Sequence, residues 1–249
     1  MELSVDLNSD LGEGAGHDDE LLGLVSSANI ACGLHAGNAQ MMRDSILAAK
    51  QHNVAVGAHP SFDDRGNFGR TEMSLPSHEV FALVVYQLGA FRALAHSLGV
   101  TVQHVKPHGA LYNMAARSEE IADAIVRAMK SVDSHLLLFA PANSALSRAA
   151  EGNDMHVARE VFADRNYMPD GSLVPRTRPD ALLHDPVEAA NRVYGMLCEN
   201  KVRAIDGSEV RVEADTICVH GDTPGAVAFA RELRLALRQM GIIVAPLRR

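Results

Sequence analysis

Short apolar runs and longer stretches of helical period alternate along this chain from one end to the other. The runs at 3–8, 28–32, 54–58, 100–105, 135–140, 156–163 and 216–219 are too short for helices and predict buried strands. Helical stretches lie between them, at 39–52, at 77–98, from 118 onward, from 186 onward and at 224–240. The longest carries Phe81, Val84, Leu88, Phe91, Leu94 and Leu98 at spacings of three and four, which places one apolar stripe toward a core. Gly99 follows it as a left-handed stop. The stretch after Ser118 repeats the pattern with Ile121, Ile125, Ala128 and Val132. Another opens at Asp185-Pro186-Val187-Glu188, where Asp185 caps and Pro186 sits where a missing N–H costs nothing. A turn at Ile205-Asp206-Gly207-Ser208 predicts a small hairpin within 202–212.

Seven strand–helix units without a linker, an internal repeat or a low-complexity stretch imply one domain over residues 1–249. Such units close into a parallel barrel or lie open as a doubly wound sheet. Polar residues follow nearly every strand rather than gathering at one switch point, so the expected class is α/β with a seven-stranded parallel (β/α) barrel.

Ligands of parallel βα folds bind outside the carboxyl ends of the strands. Here those ends read Asp6-Leu7-Asn8-Ser9-Asp10-Leu11-Gly12-Glu13, then Cys32-Gly33-Leu34-His35, His59-Pro60, His104-Val105-Lys106-Pro107-His108, Asp164-Arg165 and His220-Gly221-Asp222. A histidine after a strand is often a satisfied structural group, but a set in register at successive strand ends points to one shared site. Alternation puts Lys106 on the strand face of His104 and His108, where it meets either a substrate or a carboxylate such as Asp6. Asp10, His35 and His59 are possible metal ligands by donor type, although no short ligand pair such as HExxH supports them. Cys32 is either a thiolate nucleophile or an inert buried thiol. The glycine-rich run after Leu11 fails GxGxxG because residue 17 is His, and no GxxxxGK[ST] occurs. The polar segment 62–71 reads as a lid or partner-contact loop.

Composition narrows the classes. A formal charge of −8 with scattered Lys and Arg argues against nucleic-acid or anionic-membrane partners. Three cysteines without a CxxC pair fit a reducing compartment. The N-terminus lacks the basic and apolar regions of a signal peptide, and no apolar run approaches the roughly 20 residues of a membrane span. A cytoplasmic protein is expected.

The runs DLNSDLGEG from Asp6, SANIACGLHAG from Ser27, GAHP from Gly57, FGR from Phe68, VKPHGALYN from Val105, FADRNY from Phe162 and VHGD from Val219 resemble the motifs of the LamB/YcsF family. Its members are known as the A component of 5-oxoprolinase. The resemblance implies a distorted barrel of the glycoside hydrolase and deacetylase kind, and ATP-dependent hydrolysis of 5-oxoproline to glutamate with 5-oxoprolinase subunits B and C. ATP would be a co-substrate, with Mg2+ on its phosphates; a protein-bound metal stays open. Carried over by motif are Asp10, His35, His59, Lys106, His108, Asp164, Arg165, His220 and Asp222. Family members often have Cys where this chain has Ser9, and the usual Phe, Asp and second Arg become Leu34, Asn38 and Thr71.

An unstrained lactam is a poor electrophile, so its opening needs an activated carbonyl, a general base and donors for the developing oxyanion. The expected catalytic set is Asp10, His59, Lys106 and His108. Asp10 or His59 would activate water, while Lys106 and His108 would stabilise the oxyanion or phosphate. Arg165 would grip the substrate carboxylate with its planar fork. Asp6, Asn8, His35, Arg70, Asp164, His220 and Asp222 would complete the substrate shell. Two alternatives remain open from the residues: a stand-alone metal-dependent amidase or deacetylase, and a non-catalytic scaffold.

Overall fold

The fold is taken from a computed structural model that describes residues 3–175, 177–219 and 225–247. The expected site residues His220 and Asp222 lie outside the described residues. Six strands come first: β1 (Leu3–Leu11), β2 (Ser27–Ala31), β3 (Ala55–His59), β4 (Val102–Val105), β5 (Leu137–Pro141) and β6 (Val157–Phe162). A hairpin of β7 (Lys201–Arg203) and β8 (Glu209–Arg211) intervenes, then β9 (Thr216–Cys218) and β10 (Ile242–Val244). Strands β1 to β6 pair in sequence order, all parallel. β9 then pairs with β6 on one side and with β1 on the other, which closes a seven-stranded barrel. β2 and β3 are buried on both faces, as expected of parallel strands between a filled interior and a helical ring.

Around the barrel lie α1 (Asp18–Leu22), α2 (Ala39–Gln51), α3 (Ser77–Ser97), α4 (Gly109–Arg117), α5 (Glu119–Val132), α6 (Ala145–Glu151), α7 (Pro186–Cys198) and α8 (Ala226–Gln239). The predicted caps are in place. Gly99 has φ +64°, and the Asp185 carboxylate accepts from the amides of Val187 and Glu188. α3 buries Val80, Val84, Leu88 and Phe91, while Phe81, Leu94 and Leu98 of the expected stripe are half-buried. α3 is also long and apolar enough to cross a membrane by length and composition, contrary to the expectation that no run approaches that size. It buries one stripe and packs against α5.

Three helices and one strand were not expected. α1, α4 and α6 are short, with α4 starting directly after the polar end of β4. β10 has only three residues and adds to the lower half of β1, pairing Leu3 with Ile242. β1 itself runs three residues further than its apolar start implies. That extension decides where Asp6, Asn8 and Asp10 point.

Candidate active site

Side chains alternate across a strand, so Asp6, Asn8 and Asp10 share the inner face of β1 at three successive depths. Register then fixes their neighbours. Asp6 lies beside Thr216, Asn8 beside Cys218 and Ser27, and Asp10 beside Asn29.

The deepest layer is structural. Asp6 is fully buried and accepts hydrogen bonds from the hydroxyls of Ser26 and Ser27 at 2.7 Å each and from Thr216 at 2.5 Å. Burial raises its pKa, although those three hydroxyls oppose the shift. Asp6 therefore ties β1, β2 and β9 together at the barrel floor and does not reach the substrate space predicted for it.

The middle layer is one connected network. The Asn29 amide donates to Asn8 Oδ1 at 2.7 Å and to Asp10 Oδ1 at 2.9 Å, and Asn29 Oδ1 lies 2.8 Å from His104 Nε2. Lys106 Nζ reaches Glu160 Oε1 at 2.9 Å, Asp10 Oδ1 at 3.0 Å, Cys218 Sγ at 3.1 Å and Asn8 Oδ1 at 3.2 Å. Its carboxylate partners are Asp10 and Glu160, not Asp6. Glu160 is completed by the Tyr112 hydroxyl at 2.6 Å and the Asn8 amide at 3.1 Å. Burial works against the Lys106 charge, but Asp10 and Glu160 outweigh it and hold the ammonium well above its usual range. The Tyr112 hydroxyl is raised by burial and by Glu160, so it donates rather than ionises.

The upper layer is aromatic and basic. His59 Nε2 lies 2.9 Å from His108 Nδ1, 3.4 Å from Asp10 and 3.8 Å from Glu13. His35 stacks flat on His108 with ring centroids 3.8 Å apart, and its Nε2 is 3.0 Å from Glu13 Oε1. Glu13 reaches this group because Gly12 and Gly14, at φ +73° and +87°, fold the chain back over the barrel mouth. Burial lowers the His35 pKa to about 3 and that of His108 to about 2, with the charge on His59 adding to both. Burial also opposes protonation of His59, but Asp10 and Glu13 prevail and raise it. The segment 62–71 closes this layer. Phe68 stands edge-on to His35 and His108, and Arg70 lies over the Phe68 ring at 5.0 Å. The Arg65 guanidinium donates to the carbonyls of Gly33 and Gly37. Gly69 has φ +66° and leaves no room for a side chain, since a Cβ there would stand 2.8 Å from His35 and 2.9 Å from His108.

Above these layers opens a cavity of roughly 1020 Å³. Asp10, Glu13, His59, Lys106, His108 and Glu160 form its floor, and Arg70, Tyr112 and Arg165 line its sides. Of the sequence-predicted residues, Asp10, His59, Lys106, His108, Arg70 and Arg165 thus meet one space. Among the described residues, Asp6, Asn8, His35 and Asp164 stay off its wall. Arg165 is buried, and its Nη2 donates to the Val174 carbonyl at 2.6 Å, so part of its fork is committed to the protein. Cys32 is buried away from the cavity with its thiol pushed up to about 12 by burial, so it is the inert alternative.

Sequence reasoning missed Glu13, Glu160 and Tyr112. A signal existed for Glu160, a lone acid in the apolar strand β6, because such a residue needs a buried cationic partner.

The model of the LamB/YcsF family matches residues 5–249. A crystal structure of a lactam utilization protein from Thermus thermophilus superposes with a TM-score of 0.93 at 46% identity, covering 98% of this chain and 100% of that one. A deacetylase solved with its substrate superposes with a TM-score of 0.52 at 14% identity, covering 98% and 88%, which is likeness of fold alone.

Proposed function

Because the chain belongs to the LamB/YcsF family, we propose that it opens 5-oxo-L-proline to L-glutamate as the A component of an ATP-dependent 5-oxoprolinase, working with subunits B and C. The observation that carries this reading is the buried Lys106 ammonium, held by Asp10 and Glu160 at the floor of a cavity with arginines on its sides. A buried ion pair of this kind contributes little net stability, because desolvation offsets its attraction. Its use is a fixed positive charge at a place where an oxyanion can form. The 46% identity to a lactam utilization protein supports a cyclic amide as the substrate class.

The site's own residues divide the work as follows. Arg70 and Arg165, which line the cavity, turn toward the substrate carboxylate. The lactam carbonyl lies toward Lys106 Nζ, whose charge stabilises oxygen as it becomes negative. Asp10, held by Asn29 and Lys106, takes a proton from the attacking water. ATP supplies the driving force by phosphorylating the amide oxygen. Water adds to that carbon, the ring nitrogen leaves with a proton as the amine, and a second water hydrolyses the acyl phosphate to glutamate and phosphate. A cavity at the upper end of the usual range of about 300–1,000 Å³ has room for the lactam and part of a nucleotide. Mg2+ would accompany the ATP phosphates.

The test is glutamate release from 5-oxoproline, with and without ATP, by this chain alone and mixed with subunits B and C. Release only in the mixture with ATP supports the reading. ATP-independent release by the chain alone would replace it with a stand-alone amidase. Turnover of the mixture that is unchanged by Asp10→Ala, His59→Ala and Lys106→Ala would leave the scaffold alternative.

A further inference from the structure

We propose that Glu13, His35, His59 and His108 form a site for one divalent transition-metal ion of the zinc class. The proposal does not depend on the identity of the lactam or on ATP. It changes the expected donor set, in which Asp10 stood with His35 and His59: Glu13 and His108 complete the group, and Asp10 sits beside it.

Hydrogen bonds fix the two central imidazoles. His59 Nδ1 lies 2.6 Å from the Lys106 carbonyl and His108 Nε2 lies 2.9 Å from the Phe68 carbonyl. A carbonyl only accepts, so both of those nitrogens carry hydrogen and donate. The remaining nitrogens, His59 Nε2 and His108 Nδ1, face each other at 2.9 Å with lone pairs directed into the same space. Two lone pairs at that separation repel, so either a proton on His59 or a metal ion holds the two nitrogens there. Donation of the distal N–H to a backbone carbonyl is also how metal-bound histidines are oriented.

Donor spacing agrees. Tetrahedral zinc, with bonds of about 2.0–2.1 Å to nitrogen, holds its donors about 3.3 Å apart. Four of the separations here are 2.9 Å for His59 to His108 and 3.0, 3.4 and 3.8 Å from Glu13 to His35, His108 and His59. All four donor atoms fall within 4.8 Å of one another. His35 is buried and stacked on His108, with Nε2 3.0 Å from Glu13 Oε1. Three imidazoles and one carboxylate are borderline donors that suit zinc, nickel or iron better than magnesium. Glu13, His59 and His108 also line the cavity, so a bound ion would touch the space that receives substrate.

The experiment uses the full chain, purified without a metal-binding tag. Metal content is measured by mass spectrometry, and the stripped protein is titrated with Co2+ while its visible absorption is followed. One equivalent per chain is expected, with bands of a low-coordinate cobalt site. Glu13→Gln and His35→Gln should each weaken binding by more than the roughly 10–100-fold that loss of an outer-shell partner costs. Cys198→Ser, at an exposed thiol remote from the cluster, should not change it. Circular dichroism identifies any variant that fails to fold, and either glutamine variant alone suffices. Failure of the wild type to take up Co2+ or Zn2+ would overturn the proposal and leave a proton as the cation shared by His59 and His108. Uptake that survives both substitutions would overturn it equally.

Discussion

Lys106→Met removes the ammonium at the centre of the barrel while keeping most of its volume. Glu160 then loses a 2.9 Å partner with none of its own side chain exposed, although Tyr112 and Asn8 still donate to it. Asp10 loses a 3.0 Å partner but keeps the Asn29 amide and some contact with water. Breaking a buried pair from one side costs about 3–5 kcal/mol. Glu160→Gln instead leaves Lys106 with Asp10 and keeps an acceptor, so about 1–3 kcal/mol is expected. Once the ammonium is gone, the charge on Glu160 has lost its purpose, and the double variant should be no less stable than Lys106→Met alone. The interaction energy is therefore about 1–3 kcal/mol, within the span measured for groups in contact. Urea unfolding followed by far-UV circular dichroism gives the four stabilities by linear extrapolation. Additivity within about 0.5 kcal/mol would rule the coupling out, because it would mean that Lys106 and Glu160 do not act on each other.

Three further outcomes follow from the same geometry. Asp10→Asn keeps the contacts to Asn29 and Lys106 but cannot accept a proton, so kcat of the reconstituted complex should fall about 10²–10⁴-fold with the fold intact; an unchanged kcat would remove Asp10 as the base. Gly69→Ala forces a side chain at positive φ into His35 and His108, and should lower both stability and turnover, checked by Tm and by glutamate release. Asp6 has a folded pKa raised by burial, with Glu160 adding to the shift against three hydroxyl donors. A raised value contributes stability that is fully present below the unfolded pKa and is lost as pH rises through the folded one. The wild type should accordingly gain stability relative to Asp6→Asn as pH falls from about 7 toward 4, read as the difference in Tm; a difference independent of pH would contradict the assignment.

The barrel was legible because its strands are short and apolar and its helices carry caps and stripes that depend on local chemistry. That Lys106, His59 and His108 meet one cavity was legible because polar groups at successive strand ends converge at one mouth in a parallel barrel. What stayed hidden depended on depth and on turns. Asp6 and Asn8 read as the polar end of a strand, but β1 continues to Leu11, and period-two alternation then sends both inward below the cavity. Glu13 sat in a run that fails as a phosphate loop, and only the left-handed turns at Gly12 and Gly14 bring it to His35. Glu160 meets Lys106 because β6 and β9 close the barrel beside β1, a pairing that local sequence does not encode. β10 is three residues whose pairing with β1 exists only once the barrel has formed.

The decisive observation is a crystal structure of this chain with 5-oxoproline bound. We expect the lactam carbonyl oxygen within hydrogen-bond distance of Lys106 Nζ, Asp10 on the side from which water attacks, and the ligand carboxylate facing Arg70. A lactam seated elsewhere, with Asp10 and Lys106 still locked to each other and closed to it, would overturn the proposed chemistry.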